Sequence, residues 1–107
     1  DGGFVVVPYG GDARILGWRP GQEPEPIAAG VGGRYDGVEL LADGAILVAS
    51  QADSTLHLFR AGRGAPIVRL PGRPADIGLD TRRGRVAVPY IALDRVDVFD
   101  VDVGGWR

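Results

Sequence analysis

Residues 35–50 read YDGVELLADGAILVAS and decide the fold of this chain. The segments 36–42 and 45–50 have the apolar composition of β-strands, and the second is apolar almost throughout. Asp43-Gly44 lies between them, and Asp-Gly between apolar segments is a strong signal for a tight hairpin turn. A strand as apolar as 45–50 is expected to be covered on both faces. We therefore predict an antiparallel hairpin inside a larger sheet.

Two further strands are predicted after the hairpin. Residues 54–60 alternate between two faces, and residues 65–70 form the outer edge. His57, the only histidine, lies on strand 54–60 and is expected to be partly exposed. Residues 36–70 therefore predict one four-stranded antiparallel sheet, with strands A to D in chain order.

The same unit recurs along the chain. The aromatic residues that end the third strand of each unit, Trp18, Phe59 and Phe99, are 41 and 40 positions apart. A period of about 40 with several short strands per unit is typical of β-propellers. We predict an all-β chain, residues 1–107, of about two and a half four-stranded antiparallel blades: strands B–D in 3–28, a whole blade in 36–70, and strands A–C in 75–101.

The two flanking units are incomplete in this alignment. Asp1-Gly2 occupies the position of the Asp43-Gly44 turn, so the first unit lacks strand A, and the third ends after strand C. Closed propellers have about four blades or more. We therefore expect the chain to be a section of a longer propeller, with the remaining blades supplied by the same or another chain.

Charge and composition exclude several functions. The formal net charge is −2, and all twelve basic residues are arginines scattered along the chain, which argues against nucleic acid or an anionic membrane as partner. Cysteine is absent, which excludes disulfides, thiolate metal sites and a cysteine nucleophile. No apolar run approaches the roughly 20 residues of a transmembrane helix. The composition is that of a soluble globular protein, cytoplasmic or extracytoplasmic in a bacterium, and does not fix the compartment.

Residues 35–50 and 74–80 resemble the repeat of the SMP-30/gluconolactonase/LRE family and of the related NHL repeats. The resemblance covers residues 3–101. It implies a six-bladed propeller, of which this chain is the C-terminal part. It also implies a divalent metal, calcium or zinc, at the top of the central channel, and no organic cofactor.

The family ligands are a Glu, an Asn and an Asp, and the Asp lies in a Pro-Asp-Gly motif. Asp36-Gly37 matches that motif with Tyr35 in place of proline, so the resemblance implies Asp36 as a metal ligand. The Glu and Asn would lie in other blades. The alternative for Asp36 is that its carboxylate accepts backbone hydrogen bonds and holds the turn.

Four further residues are candidates for the site. The resemblance gives Asp53 and Asp94, in loops between strands B and C, a catalytic role as lid or general-base groups; the alternative is that both are surface turn residues. Asp76 would line the channel near the metal, or cap the turn after Pro74. Tyr90 would face a ligand, or cap the core between blades.

Two functions remain open at this point. The first is a metal-dependent hydrolase of lactones or related esters, as the resemblance implies. The second is a non-catalytic propeller that binds a partner protein or acts as a scaffold subunit of a larger complex. A serine hydrolase has little support, because the chain has no Gly-x-Ser-x-Gly motif.

Overall fold

A computed structural model describes residues 3–10, 13–30, 33–41 and 43–101. All regular structure within these residues is β, and it forms three antiparallel sheets in chain order. These residues contain no helix long and apolar enough to cross a membrane. The all-β prediction is confirmed.

The first sheet contains three strands in the order β1-β2-β3: β1 Phe4–Val6, β2 Arg14–Trp18 and β3 Glu25–Ala29. The loop between β2 and β3 turns through Gly21, whose φ of 85° is readily adopted only by glycine. The indole Nε1 of Trp18 donates to the carbonyl oxygen of Gln22 at 2.9 Å. This bond fixes the loop to the end of β2.

The second sheet contains four strands in sequence order: β4 Tyr35–Leu40, β5 Ile46–Ser50, β6 Thr55–Arg60 and β7 Arg63–Arg69. The hairpin predicted at Asp43-Gly44 joins β4 to β5, as the amide of Gly44 donates to the carbonyl of Leu41 at 3.0 Å. The Asp43 carboxylate accepts from the amide of Ala45, also at 3.0 Å. The four predicted strands agree with the observed ones to within two residues at each end.

The third sheet has the order β10-β9-β8, with β8 Gly78–Asp80, β9 Arg85–Pro89 and β10 Val96–Asp100. Strand A was predicted from residue 75, but regular pairing begins only at Gly78. Before that, the chain meets β9 through an isolated bridge between Pro74 and Tyr90. The bridge and the ladder differ in register by one residue, since Pro74 faces Tyr90 whereas Gly78 faces Ala87, so pairing is interrupted between them.

The three sheets pack face to face, and the second sheet is covered on both sides. Its strand β5 is buried along nearly its whole length, as predicted from its apolar sequence. Towards the third sheet, the core comprises Leu41, Ala45, Leu47, Ala49, Leu56, Leu58, Leu70, Ile77, Val86, Val88 and Tyr90. Towards the first sheet, it comprises Ile15, Tyr35, Val48 and Phe59, flanked by smaller residues such as Val5, Ala13 and Ala28.

Neighbouring sheets also touch one another at their edge strands. Strand β4 contacts both β1 and β8, while the outer strands β3 and β7 also meet. A Cβ at Gly37 would lie 2.6 Å from the backbone nitrogen of Ile77 and 3.1 Å from the Cα of Asp76. Glycine at position 37 therefore allows β4 to approach the segment before β8 more closely than any other residue would.

The outer edge of the second sheet is β7, as predicted. Arg63 and Arg69 lie at its two ends, and Pro66 lies in its interior. Its register with β6 shifts between Leu56 and His57, so the strand carries an irregularity next to the proline. At its start, the ring of Phe59 covers Gly64, where a Cβ would lie 2.2 Å from Cε2 of that ring.

Candidate functional site

Asp36 lies at the start of β4 with an exposed side chain, at the end of a short hydrogen-bond chain. Its Oδ2 accepts from Nε2 of Gln51 at 3.0 Å. The Oε1 of Gln51 in turn accepts from the hydroxyl of Tyr9 at 3.0 Å. The Gln51 side chain, which the sequence did not single out, therefore orients the Asp36 carboxylate and ties the second sheet to the first.

Asp76 and Glu39 bring two more carboxylates to the place where β4 approaches the segment before β8. Glu39 lies on β4 and is partly buried; Asp76 lies before β8 and is exposed. Burial raises the pKa of the Glu39 carboxyl, and the negative charge of Asp76 raises it further. The two side chains are thus close enough to interact electrostatically across the second and third sheets.

These carboxylates do not assemble a complete cation site. Across residues 3–10, 13–30, 33–41 and 43–101, no three His, Asp or Glu side chains are grouped so as to hold a metal ion. Hard cations such as calcium take six to eight oxygen ligands. Asp36 therefore stays a single candidate ligand, oriented by Gln51.

Asp53 lies in the turn between β5 and β6, and its carboxylate is already engaged. Oδ1 accepts from the hydroxyl of Thr55 at 2.8 Å, and Oδ2 lies 3.0 Å from Nε2 of His57. Burial raises the pKa of the Asp53 carboxyl, but hydrogen bonds from Ser50, Thr55 and His57 together bring it below its ordinary value. A carboxylate held in this way stabilises the turn and is a poor proton acceptor.

His57 is buried, so the prediction that it is partly exposed was wrong. Its side chain is 1 % exposed because the first sheet covers this face of β6, and its ring centroid lies 6.2 Å from that of Tyr35. Its Nδ1 is buried and makes no hydrogen bond within the described part of the chain. A buried imidazole has no path to a substrate, so the Asp53–His57 pair is structural.

A signal for this pair was present in the sequence. Asp53, Thr55 and His57 are two residues apart, and alternate residues of a strand share one face. Three polar side chains on one face of an otherwise apolar strand predict a hydrogen-bonded cluster. The hydrogen bonds in the structure fit that pattern.

Asp94 lies in the exposed loop between β9 and β10, in the position that corresponds to the Asp53 turn. The Asp53–His57 pair is not repeated there, because Asp97 occupies the position equivalent to His57. The nearby ion pair joins Arg95 to Asp97 instead, with both N–O distances 3.0 Å. Asp94 therefore lies at the surface, whereas Asp53 is hydrogen-bonded to Thr55 and His57, and the two residues have different surroundings.

Tyr90 lies in the core between the second and third sheets, and its hydroxyl reaches the edge of that core. The hydroxyl donates to Oδ2 of Asp97 at 2.6 Å, and the Arg95 guanidinium lies 5.9 Å from the ring centroid. Burial raises the pKa of the Tyr90 phenol strongly, and the hydrogen bond to the negative Asp97 raises it further. Tyr90 therefore caps the core, which is one of the two roles predicted for it.

An open cleft of about 320 Å³ lies at the far end of β4 from Asp36, and the sequence did not predict it. Phe4, Trp18, Ile27 and Leu40 contribute its apolar walls. The Phe4 and Trp18 rings are 5.6 Å apart between centroids. Because Leu40 ends β4 and Asp36 lies near its start, the cleft and the Asp36 carboxylate are separate features.

Comparison with protein-family models and with curated proteins gives no match to this sequence. Membership of the SMP-30/gluconolactonase/LRE family therefore stays a prediction, carried by residues 35–50 and 74–80.

Proposed function

We propose that this chain is a section of a β-propeller that acts as a non-catalytic structural or protein-binding unit. The observation that carries the proposal is the repeated packing of its sheets. Three units of one repeat form three antiparallel sheets, and the middle sheet is covered on both faces. The first and third sheets each leave one apolar face open.

The order of the strands supports the propeller part of this proposal. In a propeller, blades pack face to face around a channel, with their first strands next to one another. Here β4 contacts β8, and these are the first strands of their units, while the last strands β3 and β7 of two neighbouring units also meet. The close approach at Gly37 lies on the side that would face the channel.

The state of the acidic side chains supports a non-catalytic role. Asp53 is bonded to Thr55 and His57, and its lowered pKa disfavours proton transfer at neutral pH. Asp94 lies in an exposed loop, away from the Asp53 turn.

The second candidate is a metal-dependent hydrolase of lactones or esters. One observation favours it: Gln51 holds the Asp36 carboxylate in a fixed orientation on β4, the strand that also carries Glu39 beside Asp76. A divalent ion bound there would polarise a carbonyl group and lower the pKa of a water molecule. Asp36 would supply one oxygen ligand, and other ligands would come from further blades.

Titration with calcium or zinc, followed by backbone amide NMR shifts, tests the two candidates. This measurement detects even the weak binding expected of a single carboxylate ligand. For a structural unit, we expect small shifts spread over many carboxylates and unchanged in Asp36→Ala. Saturable shifts at Asp36 and Gln51 that vanish in Asp36→Ala but persist in an Asp94→Ala control would instead favour the hydrolase.

A further inference from the structure

Two apolar faces, at opposite ends of the stack of sheets, are exposed. On the third sheet, Val96 and Val98 point outwards, and Val98 is 59 % exposed. On the first sheet, Phe4 and Val6 point outwards, and Phe4 is 57 % exposed. Exposed β-branched and aromatic side chains clustered on one face of a sheet indicate a surface that binds another protein element.

The repeat shows which face of the second sheet corresponds to the open face of the third sheet. Val96 and Val98 are 40 positions after Leu56 and Leu58, the same interval that separates Phe59 from Phe99. Leu56 and Leu58 belong to the face of the second sheet that is buried against the third. The open face of the third sheet therefore corresponds to a face that another sheet of this repeat covers.

The open face of the first sheet corresponds to the other buried face of the second sheet, the one that packs against the preceding sheet. Phe4 pairs with Trp18 in the same way that Ile46 pairs with Phe59. Phe59 lies in the core between the first and second sheets, and Ile46 packs against it. Within the repeat, the open face of the first sheet therefore corresponds to the face of the second sheet that is buried against the first sheet.

The interface between the first and second sheets combines large side chains on one face with small side chains on the other. There, the aromatic rings of Tyr35 and Phe59 on the second sheet pack against smaller residues of the first sheet, such as Ala13 and Ala28. The two open faces repeat this contrast. Phe4 and Trp18 supply rings on one face, while the other presents Val96 and Val98 beside Ala87, which pairs with Val98 and shares its face.

We infer that a second copy of this chain continues the stack, with the third sheet of one copy packed on the first sheet of the other. The inference rests on the assembly role proposed above. The contact between the two copies would repeat the way in which the second and third sheets pack within one copy. Two copies joined head to tail at both ends bury all four open faces and contain six sheets, within the four to eight blades of closed propellers.

Sedimentation equilibrium of the whole chain, from micromolar to millimolar concentration, tests this inference. We expect a mass twice the 11.3 kDa of one chain. Phe4→Asp or Val98→Asp places an unpaired carboxylate in the interface and should weaken association at least about 100-fold. Ile91→Asp changes an apolar side chain that is 51 % exposed in the loop after β9, and should leave the mass unchanged. Circular dichroism checks that each variant folds.

A mixture of two variants tests the head-to-tail arrangement. Phe4→Asp and Val98→Asp each damage one face only, so a mixture retains one undamaged interface. We expect the mixture to form pairs while each variant alone is a monomer. A wild-type monomer at millimolar concentration overturns the inference. So does pairing by Phe4→Asp alone, which would mean that like faces meet, or a mass that rises without limit.

This result is independent of the metal titration described above. A monomeric wild-type chain removes the second copy and leaves the choice between structural unit and hydrolase unchanged. Saturable binding of a metal at Asp36 changes that choice and leaves the mass unaffected. Failure of the inference is therefore distinguishable from failure of the proposed function.

Discussion

The Nε2 atom of His57 lies 3.0 Å from Oδ2 of Asp53, which joins the buried face of β6 to the turn that precedes it. The imidazole is enclosed, while the carboxylate is partly exposed and also holds the hydroxyl of Thr55. Removal of the carboxylate charge would leave a buried imidazole and a hydroxyl with a weaker partner. The stability of the turn should therefore depend on the ionisation of Asp53.

Asp53→Asn should lower the free energy of unfolding at pH 7 by about 1 kcal/mol, the usual net value of a hydrogen bond. The pKa of Asp53 is lowered in the folded state from 3.8. Its contribution is therefore present above the pKa of the unfolded chain and is lost as the pH falls through the folded value. Urea unfolding at neutral pH and below about pH 4 should show the difference between wild type and variant shrink. The matched control Asp94→Asn should change little, and an equal loss in both variants would contradict the prediction.

Gly37→Ala should destabilise the protein by about 1–3 kcal/mol, because the new Cβ would overlap the backbone at Ile77. The backbone cannot rotate away as a flexible side chain would, so β4 and β8 must separate. Gly78→Ala is a matched control, since a Cβ there meets nothing within 4 Å. Urea unfolding of the two variants checks this, and similar stability would show that β4 and the segment before β8 tolerate separation.

Tyr90→Phe should lower the Tm at neutral pH by a few degrees, because the hydroxyl donates to Asp97 in a partly buried position. The pKa of the phenol is raised in the folded state, so its contribution is complete below the unfolded pKa of about 10 and is lost as the pH rises. Above about pH 10, wild type should therefore lose stability more steeply than the variant. Thermal unfolding across this alkaline range measures both slopes, and parallel slopes would contradict the prediction.

Leu47→Ala should lower the free energy of unfolding by about 2–5 kcal/mol. Leu47 is fully buried on β5, between the second and third sheets. Leu40→Ala makes the same chemical change at a position that is 57 % exposed, and should cost much less. Denaturant unfolding of the pair therefore tests whether the core lies where the sheets meet.

Most strands could be predicted because their signals are local. Asp43-Gly44 marked the hairpin, and the repeated aromatics fixed the register of the other units. The start of β8 was placed too early, because the pattern of residues 75–80 does not reveal the one-residue register offset between Pro74 and Gly78. The way in which the resulting sheets pack on one another depends on contacts beyond a single sheet.

The candidate site was less predictable because it depends on contacts between sheets. His57 was predicted to be partly exposed, and only the packing of the first sheet explains its burial. The bond from Gln51 to Asp36 and the bond from Tyr9 to Gln51 join residues 15 and 42 positions apart. The spacing of neighbouring residues in the sequence cannot predict contacts over such distances along the chain. The Asp53–His57 pair, in contrast, was accessible from the alternation of polar residues.

The edge strand β7 has a consequence for behaviour at high concentration. Proline in its interior removes one amide donor, arginines at both ends oppose the approach of a like strand, and the register shift twists the edge. These features block the addition of foreign strands that begins fibril growth. Copies of this protein are thereby kept from adding to one another strand by strand at β7, so fibril growth should not begin from this edge.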